Sequence, residues 1–387
     1  MAEKEENQYI LGLDEYIRQG EPQEQERCRA WQTAIGLQEV DGLKTSSYLL
    51  ETARRHIEGD ITISEAKQLI DSYYKSLAGR KEIEGERTEE ADKVSTRITE
   101  LLQEQTFNFS PAQLTSIHRR LFEGIYKFAG RIRDYNITKK EWVLRGATVY
   151  YASADTIRET LEYDIGQERN YSYEGKSIDE AISHLTRFCA NLWQIHAFGE
   201  GNTRSTAVFM IKYLKTLGFK VTNDQFSTHS WYFRNALVRA NYSNLKEGIT
   251  ETTLFLERFF RNMLLGEMTP LRNREMHLDW KPETEDQSAT NRPQSANLGF
   301  QSANSALLLP SKCKNCTLEE IAVLRVIQQE PSATQKHIAA EIGKSERTVK
   351  SITVRLSEQG ILVRKNGKRN GYWGACKVFC VNSVVND

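Results

Sequence analysis

Eleven consecutive residues hold most of the chemistry this chain can offer. The stretch Ile195–Ser205, IHAFGEGNTRS, places His196, Glu200, a Gly201-Asn202 pair and Arg204 within nine residues. A histidine takes up a proton near neutral pH and so can serve as a general base. A carboxylate such as Glu200 is a hard oxygen ligand suited to Mg²⁺ held jointly with a phosphate. Gly199, Gly201 and Asn202 tolerate backbone conformations that other residues resist. A glycine-containing loop running into a helix presents free N–H groups and the positive end of the helix dipole to an anion, and Arg204 adds a forked donor for phosphate oxygens. Base, metal ligand and phosphate cradle are the parts needed to move a piece of a nucleotide onto a hydroxyl. Taken one at a time, each has a plainer reading: a capping histidine, a turn, a solvated arginine. Their concurrence in one loop between two apolar segments favours a site.

Those two segments must be helices. Ile182, Leu185, Phe188, Cys189, Leu192, Trp193 and Ile195 repeat at helical spacing up to His196, and the apolar run TRSTAVFMIKYLKTLGF follows the loop. Upstream, the periodicity predicts short amphipathic helices over about 26–37, 47–58 and 65–77, with Thr45 or Ser46 as a cap and Gly59 as a stop. Another begins at Ser110-Pro111, a cap followed by proline at the first helical position. Between 132 and 152 the text alternates and is rich in Val, Ile, Tyr, Trp and Thr, which predicts a β-hairpin at 134–152. The Ser-, Asn-, Gln- and Pro-rich stretch 267–312 reads as a flexible linker. Beyond it, three helical segments (318–329, 334–342, 345–359) precede a strand, a basic glycine-containing turn and a strand.

Composition bounds the function classes. Of 387 residues, 39% are hydrophobic and 27% charged, and 52 Lys+Arg balance 52 Asp+Glu, so overall charge selects no polyanionic partner. No apolar run approaches the length of a membrane span, the first residues lack a signal-peptide pattern, and six cysteines are too few for a disulfide scaffold. A cytoplasmic protein with no membrane partner is expected. Charge is uneven locally: between Lys344 and Asn370, eight Lys/Arg face two Glu, as phosphate contacts would require.

The central stretch resembles the core of the Fic family, whose pattern is H-x-F-x-(D/E)-G-N-G-R-x-x-R. His196, Phe198, Glu200, Gly201, Asn202 and Arg204 match it. IHRRLFEGIYKFAGRIRDYNI (117–137) and FRNALVRANY (233–242) resemble the family's approach to its flap and its closing helix. The resemblance implies a mainly α fold over about 90–266, all-helical apart from the flap hairpin. It also implies transfer of AMP from ATP to a hydroxyl side chain of a target protein, self-modification included, with Mg²⁺. Carried over, His196 is the base and Glu200 the Mg²⁺ ligand. Gly199, Gly201, Asn202 and Thr203 lie along the phosphates, Arg204 steadies the departing pyrophosphate, and the target docks along the 134–152 flap. Two positions depart from the pattern: Thr203 replaces the third glycine, and Ala207 replaces the second arginine, which in the family contacts the γ-phosphate. The nucleotide preference is therefore open.

Residues 1–80 resemble the small antitoxin partners of this family fused in cis. The inhibitory pattern (S/T)-x-x-x-E-(G/N) aligns either with Asp41-Gly42, where Leu37 replaces the Ser/Thr, or with Ser47 to Glu51 followed by Thr52. Because Ala207 removes the usual ion-pair partner, weak or altered inhibition by Asp41 or Glu51 is expected. The 313–387 segment resembles a winged helix-turn-helix. Ser345 would cap its recognition helix, Arg347, Thr348, Lys350 and Ser351 would face the major groove, and Lys365, Lys368 and Arg369 would sit on the wing. Cys313, Cys316, Cys376 and Cys380 are a candidate structural zinc set, or simply buried thiols. A homo-oligomer is compatible with all of this. The rival reading is a DNA-binding transcriptional regulator whose degenerate Fic core only binds nucleotide.

Overall fold

Local chemistry sets where the N-terminal helices start and stop. Our computed structural model describes residues 13, 15–78, 86–219, 221, 224–281, 316–365 and 371–375. Helix α1 (Pro22–Gly36) opens on a proline, with Glu24 accepting the Glu21 N–H at 2.8 Å. Helix α2 (Ser47–Glu58) is capped by Ser46, whose hydroxyl takes the Leu49 N–H, and ends at Gly59 in the left-handed conformation. Helix α3 (Ile63–Ala78) follows. α1 serves two cores at once. Trp31 packs with Leu49, Ile57 and Ile70 in a small N-terminal cluster, whereas Ala30, Ala34 and Leu37 belong to the main core. The N-terminal segment is thus packed on the rest of the chain as expected.

The main core is built by α4 (Glu86–Gln103), α5 (Pro111–Phe122), α6 (Ile157–Asn170), α7 (Ile178–Ile195), α8 (Asn202–Thr216), α9 (Asp224–Ala240) and α10 (Leu254–Leu265). Helix α8 is buried along nearly its whole length, from Asn202 to Leu214, so it is the central rod around which the others pack. Ser177 and Glu180 form a capping box at the start of α7.

Two expectations need correction. The 134–152 segment reverses direction, with Glu141 donating to Ala147 O at 2.9 Å around a 3₁₀ turn at Trp142–Leu144, but no strand ladder forms there. Side chains take the backbone groups a ladder would use. Arg133 donates to Tyr135 O and Ala152 O, Gln194 to Tyr150 O, Ala154 N to Asn136 Oδ1, and Lys139 N to Thr148 Oγ1. Likewise, the first part of the expected linker is fixed structure. Asn262 brackets Thr269 at both its N–H and its carbonyl, Asn235 holds Asn273 Oδ1 at 2.8 Å, Met276 is buried, and Leu278 N bonds Val143 O. These bonds offset the low hydrophobicity on which the linker reading rested. Residues 282–315 lie outside the described residues.

The C-terminal unit contains α11 (Leu318–Gln329), α12 (Gln335–Glu341) and α13 (Glu346–Glu358). Strands β1 (Leu362–Lys365) and β2 (Tyr372–Ala375) pair antiparallel, Leu362 opposite Ala375. Thr317 and Glu320 form a capping box on α11, and Ser345 caps α13 through the Thr348 N–H. This unit is docked on the core. Buried Arg325 donates to Gly218 O at 3.2 Å and Leu264 O at 3.1 Å, carbonyls just beyond α8 and at the end of α10, and Ile178 N bonds Cys316 O. Among the described residues, no helix is long and apolar enough to cross a membrane.

Candidate active site

Helix α7 ends on His196, which takes up the left-handed conformation (φ 49°, ψ 56°) that helix ends usually assign to glycine. A histidine there costs on the order of 1–3 kcal/mol and persists only where its surroundings over-determine it. Arg133 provides much of that constraint. Its Nε donates to His196 O at 2.8 Å and its Nη2 reaches Ile195 O at 3.3 Å, while its other N–H groups hold Tyr135 and Ala152. One guanidinium therefore ties both limbs of the 134–152 flap to the backbone of the histidine.

The imidazole is buried, with Tyr151 at 4.1 Å and Trp193 at 5.2 Å between ring centroids. Among the described residues, neither ring nitrogen makes a well-formed hydrogen bond, although the Trp193 carbonyl lies near enough to favour its proton. Burial first, then the nearby cations Lys139, Arg133 and Arg234, push its pKa well below the ordinary histidine value. The ring is therefore neutral near pH 7, the state a general base requires.

The loop from 198 to 204 is built more tightly than a phosphate cradle alone demands. Asn202 closes it: Oδ1 accepts the Phe198 N–H at 2.9 Å and Nδ2 donates to Phe198 O at 2.7 Å. The Thr203 hydroxyl accepts from Trp193 Nε1. His118, which the sequence reading overlooked, anchors the same loop. Gly130 N donates to Nδ1, so Nε2 carries the proton and donates to Glu200 O at 3.0 Å. Burial lowers the His118 pKa to about 4, consistent with that single neutral tautomer. Gly201 has φ 77°, and a Cβ there would lie 2.3 Å from Phe122 Cε2, so only glycine fits. Gly201 is the N-cap of α8 and provides no side-chain cap, so the first-turn N–H groups stay available to an anion.

Arg204 is not offered to a ligand. It is fully buried over the Phe122 ring at 4.8 Å, and Nη2 lies 2.7 Å from both Asp41 Oδ2 and Glu90 Oε1. Gln38 Oε1 and the Tyr126 hydroxyl complete its surroundings at 3.1 and 3.3 Å. The Asp41 oxygen sits off the N–H direction, so this contact is an ion pair rather than a hydrogen bond. Burial opposes the charge, but Asp41, Tyr126 and Glu90 outweigh it and raise the arginine's pKa. Of the two inhibitory candidates, Asp41 reaches the loop. Glu51 does not: it pairs with Arg54 on the surface of its own helix. Glu90, Gln38 and Tyr126 carry no local sequence signal for this role.

Glu200 is half-exposed and faces Lys139 of the flap, Nζ to Oε2 3.0 Å. Both line a cavity of about 590 Å³ with Asp41, Arg87, Trp231 and Arg234. Arg234 stacks on Trp231 at 5.1 Å and grips buried Glu141 with two bonds of 2.7 and 3.1 Å, fixing the flap to α9. The Lys139 ammonium already stands where a cation meets Glu200. A lone carboxylate is the donor set Mg²⁺ uses when phosphates supply the remaining oxygens, so the residues present fit a metal–phosphate pair.

Residues 108–214 match the Fic/DOC family and residues 320–363 match the winged helix-turn-helix DNA-binding family. This chain carries a Fic domain and a winged helix-turn-helix domain. Among solved structures, a Fic family protein from Desulfovibrio desulfuricans G20 is similar at 13% identity over 97% of this chain and 96% of that one, with a TM-score of 0.41. In the winged helix, Arg347, Lys350 and Ser351 of α13 are exposed, as is Lys365 on β1. Thr348 is half-buried, with its N–H and hydroxyl both bonded to the N-cap Ser345 hydroxyl. Lys368, Arg369, Cys313, Cys376 and Cys380 lie outside the described residues; Cys316 is buried, and no metal-ligand cluster occurs among the described ones.

Proposed function

We propose that the Fic domain is a nucleotidyltransferase that moves AMP from ATP to a hydroxyl of a target protein, and that the form described above is its closed state. One observation carries this reading: a neutral, buried imidazole without a well-formed hydrogen bond, held at strained backbone angles at the head of the loop that carries Glu200 and the uncapped N-terminus of α8. Structural histidines are normally hydrogen-bonded, and strain of this kind clusters at functional sites. His196 would accept the target hydroxyl's proton as that oxygen bonds to the α-phosphorus. The bridging oxygen to the β-phosphorus departs with the electron pair, and pyrophosphate leaves. The first-turn N–H groups of α8 would hold phosphate oxygens. Glu200 would hold Mg²⁺ once Lys139 moves aside; the ion supplies charge neutralisation on the phosphates. The flap, with Tyr150 and Trp142 exposed, would offer aromatic contacts to a target segment, and Tyr151 must swing off His196 to admit the hydroxyl. Gln38 and Asp41 act as the brake by keeping Arg204 away from the phosphates. The winged helix would bind DNA through Arg347, Lys350, Ser351 and Lys365.

A second reading draws support from two observations. Ala207 is fully buried where a second arginine would stand, and Arg204 is consumed inside the protein. Together they suit a core that binds nucleotide without turning it over, in a DNA-binding regulator. Labelled ATP and Mg²⁺ separate the two. Label on the wild type that vanishes in His196→Ala supports transfer; saturable binding with no label from any nucleotide supports the regulator.

A further inference from the structure

A second cavity, about 360 Å³, shares no lining residue with the one at Glu200. Arg239, near the end of α9, lines it with Thr250, Thr252, Glu275, His277 and Trp280. Arg239 Nε and Nη1 are buried and meet no acceptor among the described residues. Buried guanidinium groups are ordinarily paired, because an unpaired buried charge is costly. The carboxylate in the same wall does not serve this one: Glu275 is engaged by Arg258 at 3.2 Å and Arg272 at 3.8 Å. Burial drags the Arg239 pKa down, as it does for a cation lacking a close counter-charge. Thr252 stands just ahead of Thr253, the N-cap of α10, which has no side-chain cap. The Thr252 oxygen takes the Leu254 N–H at 3.3 Å, leaving its own proton to donate. A guanidinium with two unmet donors and two threonines thus line one cavity.

We infer that this cavity is an anion site, taking a phosphate-class oxyanion on Arg239 with the Thr250 and Thr252 hydroxyls. The oxyanion is either free phosphate or the phosphoryl group of a nucleotide, whose base would have His277 and Trp280 as stacking faces. The wall that closes the cavity also carries the flap: Leu278 N bonds Val143 O, and Trp142 lies 5.0 Å from His277. An anion on Arg239 would therefore stiffen the flap's support from behind. The inference stands whether or not the Fic domain transfers nucleotide.

The test is calorimetric titration of the full chain with inorganic phosphate and, separately, AMP, with Trp280 fluorescence (wild type against Trp280→Phe) reporting the location. Phosphate should bind the wild type, and at least tenfold more weakly to Arg239→Gln. AMP that quenches Trp280 at a lower concentration than phosphate identifies the nucleotide as the source; equal potency identifies free phosphate. If Arg239→Gln misfolds, the Thr250→Val, Thr252→Val double variant keeps the guanidinium and should still weaken phosphate severalfold. No phosphate binding to the wild type, or unaltered affinity in the variant that folds, overturns the site.

Discussion

Replacing Asp41 by alanine separates the brake from the scaffold. Arg204 Nη2 lies 2.7 Å from one carboxylate oxygen of Asp41 and 2.7 Å from one of Glu90. At an effective dielectric near 20, each contact is worth about 6 kcal/mol of gross Coulomb attraction. Little of that is lost in Asp41→Ala. Glu90 remains as a counter-ion with its side chain 8% exposed, whereas the Asp41 side chain is 20% exposed and badly aligned for a hydrogen bond. The net loss should be about 1–3 kcal/mol, the range for one charged contact. At 2–4 °C per kcal/mol for a domain of this size, the melting temperature should fall by roughly 2–12 °C. The same 1–3 kcal/mol, withdrawn from the closed state, should raise transfer about 5- to 150-fold. Arg204→Met should behave oppositely, costing about 3–5 kcal/mol because buried Glu90 and partly buried Asp41 both lose their cation, with no gain in transfer. The assays are a thermal melt and incorporation of labelled AMP on the same preparations. If Asp41→Ala melts early yet transfers no faster, Asp41 is a brace for Arg204 and the brake is elsewhere.

Three further outcomes follow from the same geometry. Gly201→Ala must hold φ 77° with a Cβ 2.3 Å from Phe122; strain and overpacking should cost about 2–4 kcal/mol, read by denaturant titration. His118 and His56 have pKa values lowered to about 4 by burial, and Trp31 Nε1 donates to His56 Nδ1, which keeps that ring neutral. Below pH 6.5 the unfolded chain therefore binds protons the folded chain refuses, so stability should fall as pH drops from 6.5 towards 4. Each histidine contributes up to about 1.4 kcal/mol per pH unit, and His118→Asn should remove one share of that slope; a flat profile between pH 6.5 and 5 would contradict the burial argument. Lys350→Ala should weaken binding of duplex DNA evenly across sequences and reduce the salt slope by about one, measured by fluorescence anisotropy; an unchanged slope would remove Lys350 from the DNA face.

What could be read from the sequence was what lay close together in it. The caps at Ser46, Ser110 and Ser345, the three helices of the winged unit and the His196 loop all rest on residues within a few positions of one another. The roles of the loop's side chains did not follow so directly. Asn202 and Arg204 have the chemistry of phosphate ligands, yet Asn202 is spent closing the loop and Arg204 on Gln38 and Glu90, 166 and 114 positions away. No local pattern announces a partner at that distance. The flap fails as a strand for a related reason: alternation sets which face is apolar, but Arg133, Gln194 and Asn136 take the backbone groups that pairing needs.

Those distant partners make α8 more than a support for the loop. At about 1.5 Å per residue its fifteen residues span roughly 22 Å. Near one end, Arg204 is gripped by the N-terminal segment; just past the other, Gly218 O is capped by Arg325 of the winged helix. A helix buried from Asn202 to Leu214 has little room to bend, so any displacement at one end must be absorbed by sliding or tilting of the whole rod. The neighbours that would resist sliding are themselves tied to it. Lys212 donates to Leu101 O and Glu104 O, and Lys215 to Leu102 O, which binds α8 to the end of α4, the helix that also carries Glu90. Arg204 and Glu90 can therefore shift together without breaking their ion pair, whereas Gln38 and Asp41 lie on the turn after α1, which is joined to α4 by separate bonds such as Ser95 Oγ to Ala34 O and Ser46 N to Asp92. The contact with Asp41, misaligned for a hydrogen bond, can open while α4 and α8 remain joined, so under the proposed function the N-terminal segment, rather than Glu90, would be the switch.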